Sequence, residues 1–315
     1  MVRRMVWAVL LVLVVILAGL AAWLYTPDKP RDTLEAEYAA PPSMFVQVAG
    51  LRMHVRDTGP RTAPAILLLH GFGASLQTWD AWVARLEPDF RVIRFDLPGF
   101  GLTGPDKVLN PEGDYTDARA MVILAALMDQ LGLQRATMAG HSMGGRIAWT
   151  FAALHPERVE RLVLLAPDGF ASAGFAYGVA PKIPLLLRVL PYVLPTVLLR
   201  PTLAAAYANP AMVTDDLVRR YRDMLLAPGV RAAIVVRTGQ QVLVDPVPLL
   251  RSIRAPTLLL WGQQDAMIPA ANAADYQAAI PGARLTVFPG VGHLSHEEAP
   301  DASAQVLRAF LADGR

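Results

Sequence analysis

Ser142 is the residue best placed to do chemistry in this 315-residue chain. It stands in Gly140-His141-Ser142-Met143-Gly144-Gly145, a G-x-S-x-G spacing whose glycines allow a sharp turn that presents the hydroxyl. A serine hydroxyl is a weak nucleophile until a neighbouring base takes its proton. The surroundings suit that use. Ala136–Gly140 reads as a strand and Met143–Leu154 as a helix. A helix starting at Met143 aims backbone N–H groups at negative charge developing on a nearby oxygen. A second glycine loop, His70-Gly71-Phe72-Gly73, follows the apolar run Ala65–Leu69. Alone it reads as a turn. Paired with the serine motif, it makes the backbone N–H groups of Phe72 and Met143 the candidate oxyanion donors. Among six histidines, His70 and His141 belong to these two motifs, and His54 and His155 lie outside the motif loops. His293 and His296 remain near the C-terminus, and Asp168 and Asp265 each follow a strand-like run.

The elements that must position these residues alternate along the chain. Phe45–Val48 and Met53–Asp57 read as a hairpin around Gly50. Ala65–Leu69, Val92–Phe95, Ala136–Gly140, Leu162–Leu165, Thr257–Leu260 and Leu285–Phe288 are short apolar runs, as strands of a buried parallel sheet should be. Helical patterns separate them at Thr78–Leu86, Asp117–Leu131, Met143–Leu154 and Ala299–Leu311. Such alternation predicts an α/β fold with helices on both faces of the sheet. It breaks between about 169 and 254, where no strand-like run is evident. There Pro181–Leu203 is apolar and proline-broken, Thr214–Leu226 reads as a helix capped by Thr214, and Val230–Val244 reads as another. The stretch is expected to be a helical lid inserted between two strands.

Five segments, in order, resemble the α/β-hydrolase superfamily: His70-Gly71-Phe72-Gly73, Asp96-Leu97-Pro98-Gly99-Phe100-Gly101, Gly140–Gly145, Trp261-Gly262-Gln263-Gln264-Asp265, and Gly292-His293 followed by Glu298-Ala299-Pro300. The resemblance implies an eight-stranded, mostly parallel sheet and a triad in the order Ser, acid, His. It points to Ser142 as nucleophile, Asp265 as acid and His293 as base. Asp168 is the alternative acid, placed where some relatives carry theirs, and His296 the alternative histidine. The Asp96–Gly101 turn is structural in relatives. Dehalogenases and epoxide hydrolases of the superfamily carry Asp at the Ser142 position, which leaves acyl transfer to water on esters, thioesters or amides, or cleavage of carbon–carbon bonds beside a carbonyl.

Composition narrows the partners. The net charge is +2 with no dense basic block, so nucleic acid is not an expected partner. No cysteine is present, which excludes disulfides and thiolate metal sites. No phosphate-binding loop, dinucleotide motif or metal-ligand spacing occurs, so no cofactor is implied.

At the N-terminus, Arg3 and Arg4 precede an uncharged run from Met5 to Tyr25, long enough at ~1.5 Å per residue to span a hydrocarbon core of ~30 Å. Trp7 near one end, and Trp23 and Tyr25 near the other, suit the two interfaces. Residues 1–25 are thus expected to be a transmembrane anchor with its N-terminus in the cytoplasm, and 26–42 a proline-rich juxtamembrane linker. Residues 43–315 form the catalytic domain, on the exported side. The competing reading is a cleaved signal peptide, with Leu20-Ala21-Ala22 as the processing site. Ala18 and Ala22 form a small-x₃-small pair that would allow a homodimer. The arrangement resembles bacterial single-span lipolytic enzymes, including membrane-bound phospholipase A and lysophospholipase types. It implies an ester hydrolase acting on acyl lipids. The alternatives are a carbon–carbon bond hydrolase or small-ester esterase, and a non-catalytic ligand receptor on the same fold.

Overall fold

Eight runs pair edge to edge: β1 (Ser43–Val48), β2 (Leu51–Thr58), β3 (Ala65–Leu69), β4 (Arg91–Phe95), β5 (Ala136–His141), β6 (Val159–Leu165), β7 (Thr257–Gly262) and β8 (Arg284–Phe288). The structure, a computed structural model, describes residues 2–171 and 176–313. The sheet order is β1-β2-β4-β3-β5-β6-β7-β8. Only β1–β2 and β2–β4 are antiparallel; every later pair is parallel. This is the α/β-hydrolase fold.

Around the sheet lie α1 (Val2–Leu24), α2 (Arg31–Tyr38), α3 (Asp80–Leu86), α4 (Asp117–Gln130) and α5 (Met143–Leu154). Between β6 and β7 come α6 (Leu185–Arg188), α7 (Thr196–Ala204), α8 (Asp215–Leu225), α9 (Val230–Gln240) and α10 (Val247–Ser252). The chain ends with α11 (Asn272–Ala279), α12 (Ser295–Glu298) and α13 (Pro300–Ala312). The sequence-predicted insertion, 169–254, carries these five helices and no sheet strand among its described residues; 172–175 lie outside them.

Alternation along the strands divides the core into two layers. Leu67 and Leu69 face one core with Met121, Leu124 and Ile147, while Ile66 and Leu68 face the other with Trp82, Leu307 and Phe310. The central parallel strands are covered on both faces: β3 is an unbroken apolar run, and β5 and β7 are buried along their whole length. The chain moves from β3 to one neighbour, β4, and then crosses to the other, β5. Loops leaving the carboxyl ends of such strands diverge and open a crevice, the usual ligand site of open parallel sheets.

Three elements differ from the sequence reading. The helix expected over 78–86 begins as a 3₁₀ turn at Leu76–Trp79 before α3, because the Asp96 carboxylate accepts the Leu76 N–H at 2.7 Å and starts the turn early. The helix expected over 230–244 stops at Gln240; the next residue, Gln241, turns its side-chain amide to Asp168 at 2.8 Å. Finally, 26–42 is packed down. Leu34 of α2 is fully buried, Lys29 pairs with Asp223 at 2.6 Å, and Arg231 donates to the Thr26 carbonyl and the Asp28 carboxylate, both at 2.7 Å. By contrast, no described residue in the apolar window of α1 is buried, and the helix is long and apolar enough to cross a membrane.

Candidate active site

Ser142 joins β5 to α5 at φ 53° and ψ −119°, a left-handed conformation that side chains rarely adopt. The turn is fixed from both sides. The Ser142 N–H donates to the Leu165 carbonyl at 2.9 Å, and the Ser142 carbonyl accepts from Arg146 at 3.1 Å and Asp168 at 3.0 Å. Gly144 is needed because a Cβ there would overlap the carbonyl oxygens of Leu69 and His70. The glycine spacing is therefore what lets α5 start hard against the end of β3.

That closeness brings the 70–73 loop beside the serine. A Cβ on Gly71 would lie 3.3 Å from the Ser142 Cβ. His70 shapes the loop: its Nδ1–H donates to the Gly71 carbonyl at 2.8 Å and its Nε2 accepts the Leu97 N–H at 2.9 Å. Only the neutral ring can do both, and burial lowers the His70 pKa accordingly. Among the described residues, the Phe72 and Met143 N–H groups have no protein acceptor, which leaves both able to hold an oxyanion.

His293 leaves the loop after β8 and pairs through Nδ1 with Asp265 Oδ2 at 2.8 Å. The other oxygen, Oδ1, accepts the Met267 and Ile268 N–H groups at 2.8 and 2.9 Å. With Oδ1 taken up by two backbone donors, Oδ2 is the acceptor for an Nδ1–H of His293, which leaves the lone pair on Nε2. The ends of β7 and β8 meet at Gly262, where a Cβ would overlap the Gly292 and Val291 carbonyls. His141 connects the serine loop to the histidine loop. Its ring lies 4.5 Å from that of His293, and its Nε2 hydrogen-bonds the His293 carbonyl at 3.1 Å.

The alternatives fall elsewhere. Asp168 accepts from Gln241 and lies 4.0 Å from Arg146; burial raises its carboxyl pKa. His296 is buried against the Trp79 ring at 4.3 Å, bonded to Thr78 Oγ1 at 3.0 Å. Burial and the neighbouring His293 push its pKa down to about 3. Asp96 accepts from Leu76, Leu102 and His54 and is structural.

Two supporting residues have roles that local spacing does not show, although Glu298 lies in the Glu298-Ala299-Pro300 segment that carries the family resemblance. Glu298 accepts N–H groups from Gly292 at 2.8 Å and from Ala208 at 2.8 Å, and the His293 N–H donates to the Ala206 carbonyl at 2.8 Å. The histidine loop is thus fastened to the insertion. Arg237 of α9 is buried without a carboxylate partner among the described residues. It donates to the Pro98 carbonyl at 2.6 Å and sits over the rings of Phe100 and Tyr115 at 5.0 and 4.9 Å. Its Nη1 lies 3.7 Å from Met143 Sδ, and burial lowers its pKa to about 10. Among the described residues, no cluster of His, Asp or Glu is arranged to hold a metal.

Comparison with known proteins agrees with this architecture. The α/β-hydrolase-fold family matches residues 64–300. An uncharacterized protein of Mycobacterium tuberculosis is 32% identical over 302 residues, 90% of this chain and 85% of its own. The 2-hydroxy-6-oxo-6-phenylhexa-2,4-dienoate hydrolase of Burkholderia cepacia is 30% identical over 275 residues, 85% of this chain and 93% of its own. Among solved structures, a membrane phospholipase A is similar at a TM-score of 0.69 and 27% identity, covering 99% of this chain and 98% of that one. By fold, by order of motifs and by sequence, this chain belongs to the α/β-hydrolase family.

Proposed function

We propose that this chain is a membrane-anchored serine hydrolase that cleaves carboxylic esters of acyl lipids. The carrying observation for the chemistry is the Asp265–His293 pair at 2.8 Å on the loop that His141 ties to the strained Ser142. His293 Nε2 takes the Ser142 proton as Oγ attacks the ester carbonyl. The tetrahedral oxyanion is held by the Phe72 and Met143 N–H groups. His293 returns the proton to the departing alcohol, leaving an acyl-Ser142. Water then attacks, with His293 again as base, and the carboxylic acid leaves. Asp265 steadies the imidazolium throughout without itself being protonated.

Lipid as substrate class is supported by coverage. The likeness to the membrane phospholipase A extends over 99% of this chain, whereas the match to the dienoate hydrolase stops at 85%. Residues 1–25 act as the anchor, with Arg3 and Arg4 on the cytoplasmic side and the catalytic domain exported. The helices between β6 and β7 act as a lid over Ser142.

A second reading has its own support. The dienoate hydrolase relative acts on a molecule that, by its name, holds a ketone and a carboxylate but no ester; hydrolysis there breaks a carbon–carbon bond beside the ketone. Lipid profiling of purified full-length protein against Ser142→Ala separates the readings. Release of fatty acid from phospholipid, lysophospholipid or glyceride is expected, lost in Ser142→Ala with the melting temperature retained. Turnover of ring-cleavage dienoates with no acyl lipid hydrolysed would favour the second reading.

A further inference from the structure

We infer that α6 and α7 of the insertion form a second membrane-contact surface, seated in the lipid interface beside the point where α1 leaves the bilayer. This inference rests on the proposed anchor and adds a docking face to it.

The two helices are two-sided. Leu187 and Leu190 pack on the core, and Leu194 and Leu199 are buried. Their outward neighbours are Leu185, Leu186, Val189, Tyr192, Val197 and Leu198. Leu185 and Val197 are each 78% exposed and Leu186 is 73% exposed. Scattered apolar side chains are ordinary on a protein surface, but these six are all exposed within one short stretch of chain, 185–198, and so dense an apolar run marks an interaction site.

The occupant follows from what the patch is joined to. Tyr25, the first residue after α1, forms an antiparallel bridge with Val193, between the two helices. The Thr26 N–H donates to the Tyr192 carbonyl at 2.8 Å, and the Leu194 N–H reaches Thr26 Oγ1 at 3.4 Å. Gly229 and Arg231 grip Asp28 just beyond, at 2.9 and 2.7 Å. These bonds fix the insertion to the anchor's exit. Once α1 spans, α6 and α7 cannot lie far from the lipid surface. Trp23, Tyr25 and Tyr192, all exposed, flank that junction along the chain, the aromatic composition of a membrane interface. Charge agrees: from 169 to 213 the chain has Lys182, Arg188 and Arg200 and no acid. Lys182 and Arg188 are exposed and unpaired among the described residues, as basic residues bordering an apolar face on anionic lipid should be.

The chain has no cysteine, so a single introduced one is a unique label. Full-length protein carrying Leu186→Cys or Val197→Cys is labelled with a polarity-sensitive fluorophore and reconstituted in phosphatidylcholine–phosphatidylglycerol vesicles with brominated acyl chains. Ile16→Cys in α1 and Leu154→Cys at the end of α5 serve as references. Both insertion sites are expected to be quenched at least about twofold more than Leu154→Cys, and less than Ile16→Cys, as for shallow burial ~5–10 Å into the interface. Quenching equal to that of Leu154→Cys overturns the inference, and so does a blue-shifted but unquenched label, the sign of a second copy covering the face. If Ile16→Cys is itself unquenched, the anchor reading fails and the docking face with it. The readout needs no turnover, so it stands apart from the ester chemistry.

Discussion

Ser142 carries its hydroxyl on a backbone at φ 53°, a conformation that costs a non-glycine residue about 1–3 kcal/mol. The strain sits at the turn from β5 into α5, where Ser142 stays partly exposed. Ser142→Gly should therefore abolish activity yet raise the melting temperature, by about 1 kcal/mol of added stability, measured by thermal denaturation. The triad candidates were legible as sequence because each sits in a short glycine-bearing motif at the end of an apolar run. The roles of Glu298 and Arg237 were not, although Glu298 lies in a family-like segment. Glu298 meets the insertion 90 residues away, and Arg237 meets Met143 across 94 residues. No local spacing encodes such contacts, and buried charges on helices read in one dimension as ordinary surface residues. His141 was likewise hidden: its place in the motif reads as a backbone turn, yet its ring packs on His293.

Elements matter here chiefly where two ends must touch. The head of α5 abuts the end of β3 at Gly144, and no side chain fits between Gly144 and the Leu69 and His70 carbonyls. Gly144→Ala is accordingly expected to cost about 3 kcal/mol or more, read as a fall in melting temperature, with activity falling further than stability because the Met143 N–H moves with the helix. An unchanged melting curve would contradict the packing described. The strands were legible because parallel strands buried on both faces are mostly apolar, as β3, β5 and β7 are. The end of α9 was not, because its stop is imposed by Gln241 reaching to Asp168 and not by a local breaker.

At the scale of the whole molecule, neutral histidines packed under the site set its response to acid. His141 and His296 are buried and their pKa values depressed, His296 to about 3 from an ordinary 6.5. Between those two values the unfolded chain binds a proton at His296 that the folded chain refuses, so stability must fall as pH drops through that window. Glu298 and Asp168 are shifted the other way; each favours the folded form as pH falls through its raised pKa, which offsets part of the loss. Melting temperature is expected to decline from pH 7 to 5, with His296 alone contributing about 2 kcal/mol, and His296→Asn should flatten the decline. The apolar helix α1 was legible from composition, since the uncharged run from Met5 to Tyr25 is long and apolar enough to cross a membrane. The docking of 26–42 on the insertion was not, because it depends on Asp28 meeting Arg231 and Lys29 meeting Asp223, pairs formed only in the folded chain.

The central claim is that Ser142 is the nucleophile, raised to reactivity by His293. Full-length protein treated with a fluorophosphonate and mapped by peptide mass spectrometry tests it directly. A single adduct is expected on the peptide carrying Ser142, formed in step with loss of hydrolysis and absent from Ser142→Ala. Hydrolysis that persists with Ser142 fully modified, or an adduct that forms on another residue while activity is lost, would contradict it.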